Sequence, residues 1–179
     1  TVVNSDPFFL CDLYLVELPL GPELLYAGAG SSITGFDGNV TFDVPAGVLS
    51  SDTVIFGKHT TSTMPNSFSS INLGPDGTTF SPPALLKWSY DGIVLGNINP
   101  QALAIYTYVE VPMMPTLNDV ELPPSFGYWE LLPSTVDLDN KLVIAEVSHF
   151  SNFSMGAASI TGVQTGLEHA YRGTANVPI

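Results

Sequence analysis

The chain has 179 residues, of which 45% are hydrophobic and 12% charged, the latter about half the usual share of a globular protein. That suits one domain with a sizeable core, or one domain with a terminal extension, and excludes a chain disordered by composition. Seventeen Asp and Glu stand against four Lys and Arg, a net charge of −13; with no basic patch to release phosphate counterions, nucleic acid is excluded as a partner, and so is docking on anionic lipid.

The first long apolar stretch is "PFFLCDLYLVELPL" (Pro7 to Leu20), broken by Asp12, Glu17 and prolines. It is too interrupted for a spanning helix, and no direct membrane insertion is expected. Cys11 is the one cysteine, so no disulfide forms within the chain, and an apolar setting makes it a buried small hydrophobe. Helical periodicity is nearly absent: fifteen prolines and sixteen glycines leave little room for a helix of ordinary length. Short runs rich in β-branched and aromatic residues, bounded by turn residues, predict strands instead. These fall near Leu13–Leu18, Asn39–Val44, Thr53–Thr60, Phe68–Leu73, Ala84–Tyr90, Leu103–Val109, Tyr128–Leu131, Leu142–Ser148 and Phe153–Ala157.

The turn chemistry agrees. "FDGN" (Phe36 to Asn39) places Asp-Gly before a strand, as a tight hairpin requires, and "GPDGTTF" (Gly74 to Phe80) suits a β-turn. "EVPMMPTLNDVELPPSFG" (Glu110 to Gly127) reads as a long proline-rich loop. Many short strands at near-regular spacing predict an all-β fold, an antiparallel β-sandwich with an N-terminal extra strand and a small C-terminal tail. The expected organisation is an extension over 1–29, the sandwich over 30–157, and a tail or assembly arm over 158–179. Phe80, Trp88, Tyr106, Trp129 and Phe150 are the large side chains expected between the two sheets.

Three stretches, taken in order, resemble the ZU-five domain family, named for zona-occludens and uncoordinated-five proteins. "GNVTFDVPAGVLSSDTVI" (Gly38 to Ile55) is similar to that family's strand, glycine turn and next strand, with Val48 where alanine is usual. "INLGPDGTTFSPPALLKWSY" (Ile71 to Tyr90) resembles its Gly-Pro turn leading into a strand. "YWELLPSTVDLDNKLVIAEVSHFSNFSMG" (Tyr128 to Gly156) resembles its closing strands. The likeness covers roughly residues 30 to 157. It implies an interaction module that binds or docks on other proteins, with no enzyme activity on diffusing substrates and no small-molecule substrate.

"VSHFSNFSMG" (Val147 to Gly156) admits two readings. In a strand, His149 and Ser151 point to one face and Phe150 to the other, which is ordinary packing. In some relatives the same His-Phe-Ser cuts between Phe and Ser. There His149 would act as general base on Ser151 Oγ. The oxygen would attack the Phe150 carbonyl carbon, and water would hydrolyse the resulting ester. Such a step needs strain held in the Phe150–Ser151 peptide.

The remaining candidates are weaker. His59 and His169 have no carboxylate or histidine at ligand spacing, and no metal or cofactor is expected. Asp137, Asp139 and Asn140 form a polar turn that reads as solvated. Asn39 and Asn152 open glycosylation sequons in form, both within predicted strands. Scarce lysine with much Ser, Thr, Gly and Pro points to an extracellular or cell-surface setting. The function expected is a non-catalytic assembly or adhesion module, with protein partners or self-assembly and a surface filament or pilus subunit as its particular form. The alternative is a self-processing domain.

Overall fold

The computed structural model describes residues 18–112, 116–117, 120–121 and 125–157. The strand expected at Leu13–Leu18 lies outside them but for its last residue, as do Cys11, His169 and the tail from Ala158. In chain order the strands are β1 (Leu20–Leu25), β2 (Ser31–Gly35), β3 (Val40–Val44), β4 (Thr53–His59), β5 (Ser67–Gly74), β6 (Thr79–Ser89), β7 (Leu103–Pro112), β8 (Thr116–Leu117), β9 (Val120–Glu121), β10 (Ser125–Leu131), β11 (Ser134–Asp137), β12 (Leu142–His149) and β13 (Asn152–Ala157). A single turn of 3₁₀ helix, Pro100–Ala102, leads into β7, with Asn99 Oδ1 accepting from Gln101 N–H at 3.1 Å.

Six strands make one antiparallel sheet in the order β1-β4-β5-β13-β7-β10, and five make the other in the order β11-β12-β6-β3-β2. β8 and β9 form a separate two-stranded ribbon. The two sheets pack face to face, so the chain is an all-β antiparallel sandwich. Alternation sets the facing of each strand. Val40, Phe42 and Val44 of β3 point inward while Thr41 and Asp43 do not. Val143, Ala145 and Val147 of β12, Ala84, Leu86 and Trp88 of β6, and Ile105, Phe153 and Met155 of the opposite sheet complete the buried layer. Each fully buried side chain of this size contributes roughly 1.5–3 kcal/mol by leaving water.

Three strands had weak sequence signals for a common reason: they lie at sheet edges, where pairing is one-sided and polar or proline residues are tolerated. β1 contains Gly21 and Pro22 and bulges between Leu20 and Glu23. β2 carries one large apolar residue, Ile33, and β11 is four residues long. The segment expected as a loop from Glu110 to Gly127 is corrected in the same way. β7 runs on to Pro112 and β10 begins opposite it at Ser125, at the sheet's other edge.

Tyr106 and Trp129 also depart from expectation. Leu103, Ile105 and Thr107 take the inward positions of β7, so Tyr106 and Tyr108 face out. Trp129, paired with Tyr108, is on the same outer face; the two rings lie 5.2 Å apart and Trp129 Nε1 donates to Thr63 Oγ1. The β4–β5 connection lies close over this face. A Cβ built on Gly156 would meet Asn66 O at 2.8 Å, so glycine is required there. Under that cover Ser154, fully buried, bonds Ser67 at 2.7 Å and Ser70 at 2.9 Å, which satisfies hydroxyls that burial would otherwise penalise.

Candidate functional site

His149-Phe150-Ser151 does not sit inside a strand. β12 ends at His149 in one sheet and β13 begins at Asn152 in the other, so Phe150 and Ser151 form the corner where the chain changes sheets. The alternation slips on the way. Val147 pairs with Ala84 and points inward, but His149 pairs with Thr79, because Ser81, Pro82 and Pro83 of β6 stand out of register. Val147 and Phe150 are therefore both buried, with Ser148 exposed and His149 partly exposed between them. This corrects the strand reading, in which His149 and Ser151 share a face.

The corner is held on every side. The Phe150 ring, 1% exposed, meets Phe80 at 4.9 Å and Phe42 at 5.1 Å between centroids. Phe150 N–H donates to Thr78 O in the turn after β5, at 2.9 Å, and Ser151 O accepts from Leu73 N–H at 3.1 Å. Gly77 in that turn has φ +80°, a conformation for which glycine has no penalty. Ser151, itself buried, donates its Oγ hydrogen to Tyr108 O at 2.8 Å.

The hydrogen bonds of the two candidate side chains thus go to different partners. Ser151 Oγ is committed to Tyr108 O, while His149 Nδ1 lies 3.1 Å from Phe150 O. That oxygen belongs to the carbonyl that Ser151 Oγ would attack. As the ring stands, a protonated Nδ1 would donate to that oxygen rather than draw a proton from Ser151.

The other candidates have structural roles. Asp137 Oδ1 accepts from Asp139 and Asn140 N–H, and its Oδ2 from Asn140 Nδ2 at 2.7 Å. The Asn140 side-chain bond, then its backbone bond, hold the Asp137 carboxyl below the usual range. The turn therefore satisfies its own carboxylate. His59 packs edge-on against Phe36, centroids 5.1 Å apart. Asn39 Nδ2 donates to Phe36 O, and Asn152 Oδ1 accepts from Asn72 Nδ2. Among the described residues no group of three His, Cys, Asp or Glu could hold a metal ion, and no helix is long and apolar enough to cross a membrane.

A feature with no motif behind it lies beside His149. A groove of about 610 Å³ is lined by Glu146 and His149 of β12, Pro83 and Leu85 of β6, and Pro133 and Thr107. Thr107 is 3% exposed, and among the described residues its Oγ1 has no hydrogen-bond partner. No family model matches the chain, and no curated protein matches it.

Proposed function

We propose that the chain is a non-catalytic β-sandwich module of an extracellular or cell-surface protein, used for assembly or adhesion, with a subunit of a surface filament or pilus as the particular form. The observation that carries this reading is the apolar edge at β1. Leu24, 48% exposed, is paired directly with Val54 of β4, 50% exposed, and Tyr26 follows at 59%. β1 is an edge strand, so its outer row of backbone groups has no strand beside it in the described structure. The apolar stretch from Pro7 to Leu20 runs into this strand in sequence. An edge and an apolar surface together suit strand addition between subunits, where main-chain bonds supply affinity and side chains specificity. The ordered resemblance of residues 30–157 to ZU-five domains supports an interaction module of that type.

Sedimentation over a range of protein concentrations tests this. Association should strengthen with concentration and be lost in Leu24→Lys/Val54→Lys and on deletion of residues 1–17. A wild-type chain that sediments as a monomer at every concentration removes the reading.

The second reading is a self-processing domain with Ser151 as nucleophile, and it is favoured by the placement of His149 Nδ1 at Phe150 O. The Ser151 oxygen bonds to the Phe150 carbonyl carbon, the Phe150–Ser151 C–N bond breaks, and the freed amine takes the proton. Water then cleaves the ester. Intact mass under denaturing conditions separates the readings. One species of 19.1 kDa supports the structural module, and two fragments divided after Phe150, restored to one by Ser151→Ala, support processing.

A further inference from the structure

Every neighbour pair in the larger sheet, β1-β4-β5-β13-β7-β10, is antiparallel. Six alternating strands leave the two edges, β1 and β10, running in opposite directions. A second copy displaced along the sheet therefore brings its β10 beside β1 antiparallel, with outer face continuing outer face. The smaller sheet has five strands, so its edges β11 and β2 run the same way and would meet only in the less stable parallel pairing. Both are short and polar, STVD and SSITG.

Exposed apolar side chains collect at the same two edges. Leu24, Tyr26 and Val54 are at β1, and Tyr128 and Leu131 are on β10; the other large exposed hydrophobics among the described residues, Val94 and Leu138, lie outside strands. Neither edge strand carries a lysine, the usual guard against edge pairing. Register fixes which backbone groups are left over. Thr60 N–H donates to Ser70 O, so even-numbered residues of β4 bond toward β5 and odd-numbered ones toward β1. Val54 is even, and its partner Leu24 accordingly turns N–H and C=O outward. Pro22, which has no N–H, and the bulge after Leu20 blunt the first half of β1, so the open stretch begins at Leu24. On β10, Leu132 N–H donates to Ile105 O, so even-numbered residues bond toward β7, and Trp129 and Leu131 turn their backbone groups outward.

We propose that the edge at β1 takes β10 of a second copy of this chain, joining copies head to tail through one continuous sheet. This rests on the assembly reading above and names the surface that β1 meets. Trp129 opposite Leu24 would set Glu23 directly against Glu130, two like charges face to face. Leu131 opposite Leu24 keeps the same outward groups paired, separates the two glutamates, matches two exposed leucines and brings Tyr26 beside Trp129. The contact joins unlike surfaces, so every added copy leaves β1 open at one end and β10 at the other, and growth does not close on itself. The joint is a single strand pair, small beside the roughly 800 Å² per partner of a stable interface. Copies of net charge −13 also repel one another. Assembly is therefore reversible and sets in at high protein concentration.

The test is sedimentation velocity on the full chain and on two single-edge variants, Leu24→Lys/Val54→Lys at β1 and Leu131→Lys on β10. Circular dichroism checks that each variant is folded, and Leu24→Ser or Leu131→Ser replaces one that is not. The wild type should give a series of species beyond a dimer as concentration rises. Each variant alone should need about tenfold or more protein to associate. An equimolar mixture of the two holds one intact edge of each kind, and should stop at a one-to-one heterodimer. A β10 variant that still dimerises alone shows β1 pairing with β1 of another copy; the proposal then falls while the assembly reading stands. A mixture that stays monomeric where the wild type associates overturns it in the same way. A wild type that is monomeric at every concentration removes both.

Discussion

Thr107→Val should make the protein more stable, which is an unusual expectation for a substitution at a buried position. Thr107 points into the space between the sheets, with Phe153 opposite it on one side and Glu130 on the other, and its Oγ1 is buried without a partner among the described residues. A buried polar group left unsatisfied costs about 1–3 kcal/mol. Valine keeps the β-branch and nearly the same shape, so the backbone preference for strand is retained and no cavity opens. The expected gain is about 1–2 kcal/mol, allowing for some access to groove water. In a chain of this size that corresponds to a rise in Tm of about 2–8 °C. Urea unfolding followed by tryptophan fluorescence measures it as a higher midpoint at unchanged slope. Thr107→Ser is the control: it keeps the hydroxyl, deletes a buried methyl, and should lose about 1 kcal/mol. A valine variant less stable than wild type by more than about 0.5 kcal/mol refutes the reasoning, because it shows that the hydroxyl is bonded in solution.

Phe150→Ala should cost about 3–5 kcal/mol, since it empties the centre of the Phe42–Phe80–Phe150 cluster, and thermal denaturation would register this as a large fall in Tm. Gly57→Ala should also destabilise, because a Cβ there meets the Phe36 ring at 2.7 Å and Leu20 Cβ at 3.0 Å; Gly57→Ala combined with Phe36→Leu should recover part of the loss in the same denaturation assay. Acid should reveal Asp43. Burial raises its pKa, but the Lys87 hydrogen bond, the Ser32 hydrogen bond and the Lys87 charge outweigh this and hold it below the ordinary 3.8. The folded value is the lower one, so its contribution is complete above pH 3.8 and is lost as pH falls through the folded value. Urea midpoints between about pH 5 and about pH 2 should fall less steeply in Lys87→Met than in wild type, and identical acid limbs would argue against the pair.

The sandwich was legible because its central strands alternate cleanly: Val40, Phe42 and Val44 announce the facing of β3 without any knowledge of its neighbours. What binds the three quoted sequence stretches together becomes visible only in space. Phe42 comes from the first, Phe80 from the second and Phe150 from the third, and the three rings form one cluster. The Gly-Pro turn of the second stretch supplies Thr78 O, which holds Phe150 N–H. The corner itself was not legible. Its slip in alternation arises from the displaced prolines of the partner strand β6, and no pattern within residues 147–156 reports a neighbour's irregularity. Tyr106 and Trp129 were misplaced because aromatic content signals burial without saying on which side of a sheet it occurs. The groove beside His149 escaped for a similar reason, as it depends on how strands meet in space, a fact of pairing rather than of composition.

The position of β13 has a consequence for how the chain acquires its shape. It is the last of the described strands, yet it lies in the middle of the larger sheet, bonded to β5 on one side and β7 on the other. Until it emerges from the ribosome, β1-β4-β5 and β7-β10 have no common member, and two strand edges stay open to mispairing. Closure is thus a late event spanning contacts far apart in sequence, the kind of topology that folds slowly. A chain ending at Ser151 should remain two unjoined halves, and supplying residues 152–157 as a separate peptide should allow them to knit.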